Sequence, residues 1–234
     1  MPREKEADMS SRLFSMLMEL LFPQKCVFCR HVLRRGENGL CDSCTDSLPG
    51  PEPRVTQGGV YSVCAAALRY NDSVRRAIHR FKFGGKTNYA TALGRLMAKT
   101  IQKELADRYD VITWVPISAE RKKSRGFDQS MLLAYAIALE LEDVAVETLK
   151  KTVHTKAQSN LNGAAKRRKN VEGAYRVTDP SLVEGKRVLL IDDILTTGST
   201  LSECSSALLK AGAIEIVCAV LARVDNSSNQ IFRK

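Results

Sequence analysis

The chain has no apolar run long enough to cross a bilayer. Its main apolar stretch near the start, Leu13 to Phe22, is broken by Ser15 and Glu19 and falls short of the roughly 20 residues a spanning helix needs. Arg3 and Lys5 precede it as in an export signal, but Glu4, Glu6 and Asp8 are interspersed and a small-residue cleavage site is missing. Met1 to Phe22 is therefore expected to be a helix that docks on the protein. The full Gly-x-x-x-x-Gly-Lys-Ser/Thr pattern is absent, since Arg80 stands where Gly85-Lys86-Thr87 would need its leading glycine, and this excludes a Walker-type nucleotide loop. Histidine is scarce, three residues in 234, and nothing around His154 forms a nucleophilic triad. With no export signal, the seven cysteines point to a reducing compartment, the cytoplasm, where thiols serve metal binding or packing rather than disulfides.

What is present suits a soluble α/β protein. A chain of 234 residues with 44% hydrophobic content can bury one sizeable core and carry a small appendage. Lys and Arg number 36 against 26 Asp and Glu, a net charge of +10 that favours anionic ligands such as phosphates, pyrophosphate or nucleic acid without choosing among them.

The run Val188-Leu-Leu-Ile-Asp-Asp-Ile-Leu-Thr-Thr-Gly-Ser-Thr200 carries the most chemistry. Val188 to Ile191 have the continuous branched character of a strand buried on both faces. Asp192 and Asp193 then fall at its carboxyl end, where open α/β sheets bind ligands. Thr196, Thr197, Gly198, Ser199 and Thr200 lead into a helix, Leu201 to Ala211, so freed amides, hydroxyls and the positive helix end converge on one anion. The two acids would repel a phosphate and must face something neutral or cationic beside it: ribose hydroxyls, with a divalent cation nearby. The acid pair alone also suits a magnesium site of another α/β fold, and the turn alone a plain strand-to-helix connection. Joined at this spacing, the run resembles the phosphoribosyl pyrophosphate motif of type I phosphoribosyltransferases. That resemblance implies that Asp192 and Asp193 bind the ribose hydroxyls and that residues 196–200 cradle the 5′-phosphate.

Cys26-Val-Phe-Cys29 and Cys41-Asp-Ser-Cys44 form two chelating turns. Four sulfurs saturate a tetrahedral zinc ion and leave no open position, which makes the site structural; an iron–sulfur cluster can use the same four, and a redox dithiol needs only one pair. Metal binding would supply folding energy that a segment of this size cannot draw from a core. Leu48-Pro-Gly-Pro-Glu-Pro53 reads as a stiff linker, giving residues 1–53 as helix, cysteine module and linker and 54–234 as the main domain. Cys64, Cys204 and Cys218 read as packing residues.

Within the main domain, Val60 to Tyr70 reads as a strand. Val74, Ala77, Ile78 and Phe81 mark the buried face of a helix whose other face carries Arg75, Arg76, His79 and Arg80, with Lys82 just beyond. That basic face is either a solvated surface or a patch for phosphates or nucleic acid. A further amphipathic helix follows through Leu93, Leu96, Met97, Ile101 and Leu105. Val111 to Val115 is a second buried strand, leading to a cationic loop from Glu120 to Gln129. Asp128 is placed to cap the next helix, which runs to about Leu141, and Gly126 permits close backbone approach of an anion. Val144 to Leu149 is a possible strand, Thr152 to Asn170 a mobile loop or short helix able to close over an anion, and Glu215 to Val224 a last strand before a polar tail.

Taken together, the apolar N-terminal helix ending at Pro23, the four cysteines, Arg125-Gly-Phe-Asp-Gln129, Gln158-x-x-Leu161 with Arg168 and Asn170, and the pyrophosphate motif resemble the ComF (competence protein F) family. Asp128 departs from the family's usual asparagine. The resemblance implies a type I phosphoribosyltransferase-like α/β fold with a parallel sheet flanked by helices and a small N-terminal zinc-binding module. It implies phosphoribosyl pyrophosphate or a related ribose phosphate as ligand, magnesium beside structural zinc, and either pentosyl transfer with pyrophosphate release or a non-catalytic role in handling single-stranded DNA with competence-machinery proteins. Asp192, Asp193 and Arg125 are then the catalytic candidates, with Arg121, Arg125, Gly126, Lys166, Arg167 and Arg168 as further ligand-binding residues. Membrane insertion is not expected.

Overall fold

The structure, a computed structural model, describes residues 21–57, 60–152 and 173–224. The chain divides into two compact units, Met1–Leu48 and Pro49–Lys234. In the first, the described residues are mostly turns closed by one short helix, α1 (Asp42–Ser47). The Glu37 carboxylate links its strands of turn by accepting from the amides of Arg34 and Asp42, and the Val27 amide donates to the Gly39 carbonyl. Among its described residues the buried apolar ones are Cys26, Val27, Phe28 and Cys41, few for residues 21–48 to hold together by burial alone.

The second unit contains strands β1 (Glu52–Gln57), β2 (Tyr61–Arg69), β3 (Val111–Trp114), β4 (Leu149–Lys151), β5 (Tyr175–Val177), β6 (Arg187–Leu195) and β7 (Glu215–Arg223). Five of them form a sheet in the order β1-β2-β7-β6-β3, parallel except for β1, which lies antiparallel on the β2 edge; β4 and β5 pair separately and antiparallel. Val188 to Ile191 and Ile216 to Ala222 are buried without a break, as a sheet covered on both faces demands.

Among the described residues five α-helices accompany the sheet: α2 (Asp72–Phe83), α3 (Tyr89–Leu105), α4 (Ala119–Arg125), α5 (Gln129–Glu140) and α6 (Ser199–Lys210). Leu201, Cys204 and Leu208 of α6 share a cluster with Val188, Leu190, Cys218 and Val220, so strand alternation leaves Leu189 and Ile191 for the opposite face. There α3 and α5 pack on the sheet and on each other. Gly94 sets their spacing, since a Cβ on it would lie 2.5 Å from that of Ala136. Cys64, Cys204 and Cys218 are buried packing residues, and burial pushes the thiols of Cys204 and Cys218 well up.

Four local expectations are corrected. The linker gives way to β1 at Glu52, and Pro53 is tolerated there because β1 is an edge strand that needs no second partner. The cationic loop begins as helix α4: the Ser118 hydroxyl accepts from the Arg121 amide, Glu120 sits in the first turn, Lys122, Lys123 and Arg125 in the last, and Gly126 ends it with φ of 82°. The strand expected over Val144 to Leu149 lies instead at Leu149–Lys151; Val144 is exposed, and Ala145 makes one bridge to Ile112. Finally, β6 runs through both acids to Leu195. The helix before Phe22, the segment holding His154, Gln158, Leu161, Lys166, Arg167, Arg168 and Asn170, and the tail from Asp225 lie outside the described residues.

Candidate functional site

A cavity of about 290 Å³ opens at the carboxyl ends of the parallel strands. Asp192 and Asp193 line it, together with Thr196 and Thr200, Arg121 of α4, Arg125, Gln129 and Ser130 at the α4–α5 junction, Lys82 of α2, and Lys151 and Tyr175 of the β4–β5 pair. Thr197, Gly198 and Ser199 make the turn beneath it. Gly198 adopts φ of 75°, the left-handed region an ordinary residue avoids, and the hydroxyls of Thr197 and Ser199 lie 2.9 Å apart. The turn so formed delivers the first residues of α6 to the cavity.

The acids are adjacent on a strand and take different partners, as a period of two requires. Asp192, 9% exposed, accepts from the Ser130 hydroxyl at 3.1 Å and from the Asp193 amide at 2.8 Å through the same oxygen, Oδ1. Asp193, 5% exposed, places Oδ2 2.5 Å from the Lys82 ammonium. Burial, and then the neighbouring Asp193 charge, raise the Asp192 carboxyl above the usual range; the Asp193 amide, Lys82 and Ser130 oppose that shift.

Among the described residues four cations line the cavity with the acids: Lys82, Arg121, Arg125 and Lys151. The Arg125 guanidinium donates to Gln129 Oε1 at 2.8 Å and lies 4.7 Å from the centre of the exposed Phe83 ring. Lys151 donates to the Tyr175 hydroxyl at 3.2 Å; burial, and then the Arg121 charge, bring its pKa down to about 8. Asp128 does not join this group. Its Oδ1 accepts from the amides of Ser130 and Met131 as the α5 cap, and its Oδ2 from the Ile117 amide, so its carboxylate is spent on holding two backbone segments together. Gly126 ends α4 in an exposed position and is not among the residues lining the cavity.

Sequence reasoning missed Lys82, Gln129, Ser130, Lys151 and Tyr175. Lys82 reads as the end of a basic face, solvated or a patch for phosphates or nucleic acid, and not as a partner of the acids; Phe81 beside it is buried and α2 ends at Phe83, and the ammonium turns inward to Asp193. Gln129 stands in the Arg125-Gly-Phe-Asp-Gln129 motif with no ligand role read from it, and Ser130 is visible in the sequence only as the first turn of a helix. Lys151 and Tyr175 belong to three-residue strands too short to show a period.

In the first unit, the sulfurs of Cys26, Cys29, Cys41 and Cys44 all lie within 4.8 Å of one another, and those of Cys29 and Cys41 are 3.5 Å apart. Four sulfurs about 2.3 Å from one zinc ion stand roughly 3.8 Å from each other, so the cluster can hold a metal such as zinc. The His31 amide points at Cys29 Sγ at 3.4 Å, and Arg30 takes φ of 71° to close the first knuckle. Burial opposes ionisation of Cys26, but the amides of Cys29, Cys41 and Phe28 outweigh it and bring that thiol down to about 7.

The acid pair is a poor fit for a divalent ion held by the protein alone. Ser130 and an amide occupy Asp192 Oδ1, and an ammonium stands on Asp193.

A phosphoribosyl transferase domain model matches residues 127–232. The sheet order, the acid pair shortly before the end of β6 at Leu195 and the turn into α6 define a type I phosphoribosyltransferase-like domain. DNA utilization protein YhgH of Escherichia coli is 30% identical over 223 residues, 84% of this chain and 96% of that protein. Competence protein F of Haemophilus influenzae is 29% identical over 228 residues, 86% and 98% of the two chains. The chain belongs to this competence protein F family. Similar solved structures include the allosteric regulatory enzyme of purine biosynthesis, 23% identical with a TM-score of 0.42 over 61% of this chain and 29% of that one. Among the described residues, no helix is long and apolar enough to cross a membrane.

Proposed function

We propose that the cavity binds phosphoribosyl pyrophosphate or a closely related ribose phosphate, magnesium accompanying its pyrophosphate, and that the protein transfers or senses this ligand in the handling of incoming DNA. The observation that carries the reading is the placement of Asp192 and Asp193 beside Thr196 and Thr200 on one cavity wall, with Arg121, Arg125, Lys151 and Lys82 around the rest. Ribose hydroxyls are neutral donors that a carboxylate can accept, while a 5′-phosphate suits the hydroxyls and amides at the start of α6. Arg121 and Arg125 are positioned for the leaving pyrophosphate, where charge develops as the bond to the ribose C1 breaks. Lys166, Arg167 and Arg168 are proposed to add to this from the segment that follows β4. A zinc ion on the four cysteines is proposed to fold the first unit.

A second reading, a non-catalytic module for single-stranded DNA, draws on the exposed Arg75, Arg76 and His79 of α2 and on the exposed Phe83 at its end. The names of the relatives fit either reading, with competence-machinery proteins as partners and the cytoplasm as the place of action. Calorimetry with phosphoribosyl pyrophosphate and magnesium, followed by a pyrophosphate-release assay over a panel of nucleobases, separates them. Acceptor-dependent release marks a transferase, tight binding without release marks a sensing module, and absence of binding defeats the ribose-phosphate reading.

A further inference from the structure

The Lys82 ammonium and the Asp193 carboxylate form a closely paired couple in the cavity wall, with side chains 18% and 7% exposed. Their elements are far apart in sequence: Lys82 comes from the last turn of α2 and Asp193 from inside β6. Nothing in the fold requires a lysine at a ribose site, since a hydroxyl can approach a carboxylate unaided. A pair this shielded is strong enough to decide what else reaches Asp193.

We propose that Lys82 is the resident cation of the acid pair: it keeps divalent metal off Asp193 in the free protein and yields the carboxylate only to a ligand whose own phosphates can take over the ammonium. This rests on the reading of the cavity as a ribose-phosphate site. Two cations cannot share the Asp193 oxygen at contact distance without repulsion, and Asp192 Oδ1 is already committed to Ser130 and an amide. A metal ion therefore gains a place only when it arrives on a polyphosphate. Ribose hydroxyls are neutral and offer the ammonium no counter-charge, so a ligand lacking phosphates beside the acids leaves the pair closed. The site selects a pyrophosphate-bearing sugar over a ribose monophosphate or a nucleoside.

The test uses the full chain loaded with zinc and titrated with manganese alone, read by electron paramagnetic resonance. Wild type should show no manganese site that Asp193→Asn removes. Lys82→Met should gain one site at least tenfold tighter than any in wild type, Lys82→Met with Asp193→Asn should lose it, and Lys82→Arg should stay closed because the charge is kept. Circular dichroism melts confirm that each variant is folded. A wild-type manganese site abolished by Asp193→Asn, or a folded Lys82→Met that gains none dependent on Asp193, overturns the proposal. In a second arm, the preference for phosphoribosyl pyrophosphate over ribose 5-phosphate should narrow about tenfold in Lys82→Met, and an unchanged ratio counts against it. If no variant binds either sugar, the ribose-phosphate reading falls, while the manganese titration, which needs no sugar, still decides the role of Lys82.

Discussion

Ser130 Oγ lies 3.1 Å from Asp192 Oδ1, joining the first turn of α5 to the acid on β6 across 62 positions of sequence. The same turn is capped by Asp128, whose other oxygen holds the Ile117 amide, so one short junction fixes both the α4 approach and the acid. Ser130→Ala removes a hydrogen bond to a buried carboxylate, and such bonds contribute on the order of 1.5–3 kcal/mol. We expect ligand affinity to fall about tenfold and the melting temperature to drop by roughly 3–10 °C, measured by calorimetry and a thermal scan; equal binding by this variant counts against Asp192 as a ligand group.

The cysteine cluster gives a prediction that does not depend on the cavity. Purified protein should carry one zinc per chain, and X-ray absorption should show sulfur neighbours at about 2.3 Å. Structural zinc contributes on the order of 10 kcal/mol or more to small modules, above what the few buried apolar residues among the described residues 21–48 supply. Chelation, or Cys41→Ser, should abolish amide-exchange protection in that unit while leaving Pro49–Lys234 protected. Freely alkylated thiols and no bound zinc would refute the site.

Ligand affinity should show a bell-shaped pH dependence. Asp192 accepts a hydroxyl more strongly when ionised, and its carboxyl is raised to about 7 by burial and by Asp193, so affinity climbs as pH rises through that value. Lys151 loses its charge as pH passes about 8, so the anion-binding field weakens above it. The groups felt by these two are Asp193, Lys82, Arg121 and Cys204. For folding the Asp192 sign is the reverse: the native state holds a proton that the unfolded chain releases, so this group's contribution to stability declines from the ordinary carboxylate range up to about pH 7. Lys151→Met should flatten the alkaline limb and Asp192→Asn the acidic one; a profile flat from pH 6 to 9 in wild type would exclude both roles.

Much of the fold was legible because its signals are long. Val188 to Ile191 and Glu215 to Val224 announce buried strands, and Val74, Ala77, Ile78 and Phe81 a helix face; all appear as expected. The acids and the turn after them were legible because a strand, a carboxylate pair and a hydroxyl-rich turn occur in that order. The cation side was not, because Lys82, Lys151 and Tyr175 are brought in by tertiary packing of three separate elements, and no local period records which way a helix-end lysine turns. β1 was hidden by Pro53, whose missing N–H argues against a strand until its edge position is known. Asp128 was legible as a cap from its position, though not its second bond to Ile117.

Binding of single-stranded DNA, if it uses the exposed face of α2, should be electrostatic and independent of sequence. Each phosphate contact releases counterions, giving a slope of log affinity against log salt of about −0.7 per contact for single strands. Arg75→Ala with Arg76→Ala should weaken binding and lower the slope by roughly 1.4, measured by fluorescence anisotropy between low and moderate salt. Phe83→Ala should weaken binding through lost base stacking, with little effect on the slope. Affinity indifferent to salt would eliminate this surface.

The sharpest prediction for the cavity is an asymmetry between its two acids. Asp192→Asn keeps a neutral side chain where Ser130 and the Asp193 amide already hold its position, so the loss is that of one acceptor in a buried site; affinity for phosphoribosyl pyrophosphate should fall about tenfold, the scale of a charged hydrogen bond. Asp193→Asn also removes the partner of Lys82, leaving an ammonium free in the cavity. That cation attracts the pyrophosphate and offsets part of the lost ribose contact, so this variant should bind the full ligand nearly as well as wild type but bind more weakly as salt rises, since a larger share of its affinity is then electrostatic. Calorimetry at two salt concentrations tests the contrast. Equal losses in both variants with equal salt dependence would mean that Lys82 and Asp193 do not exchange partners when the ligand enters.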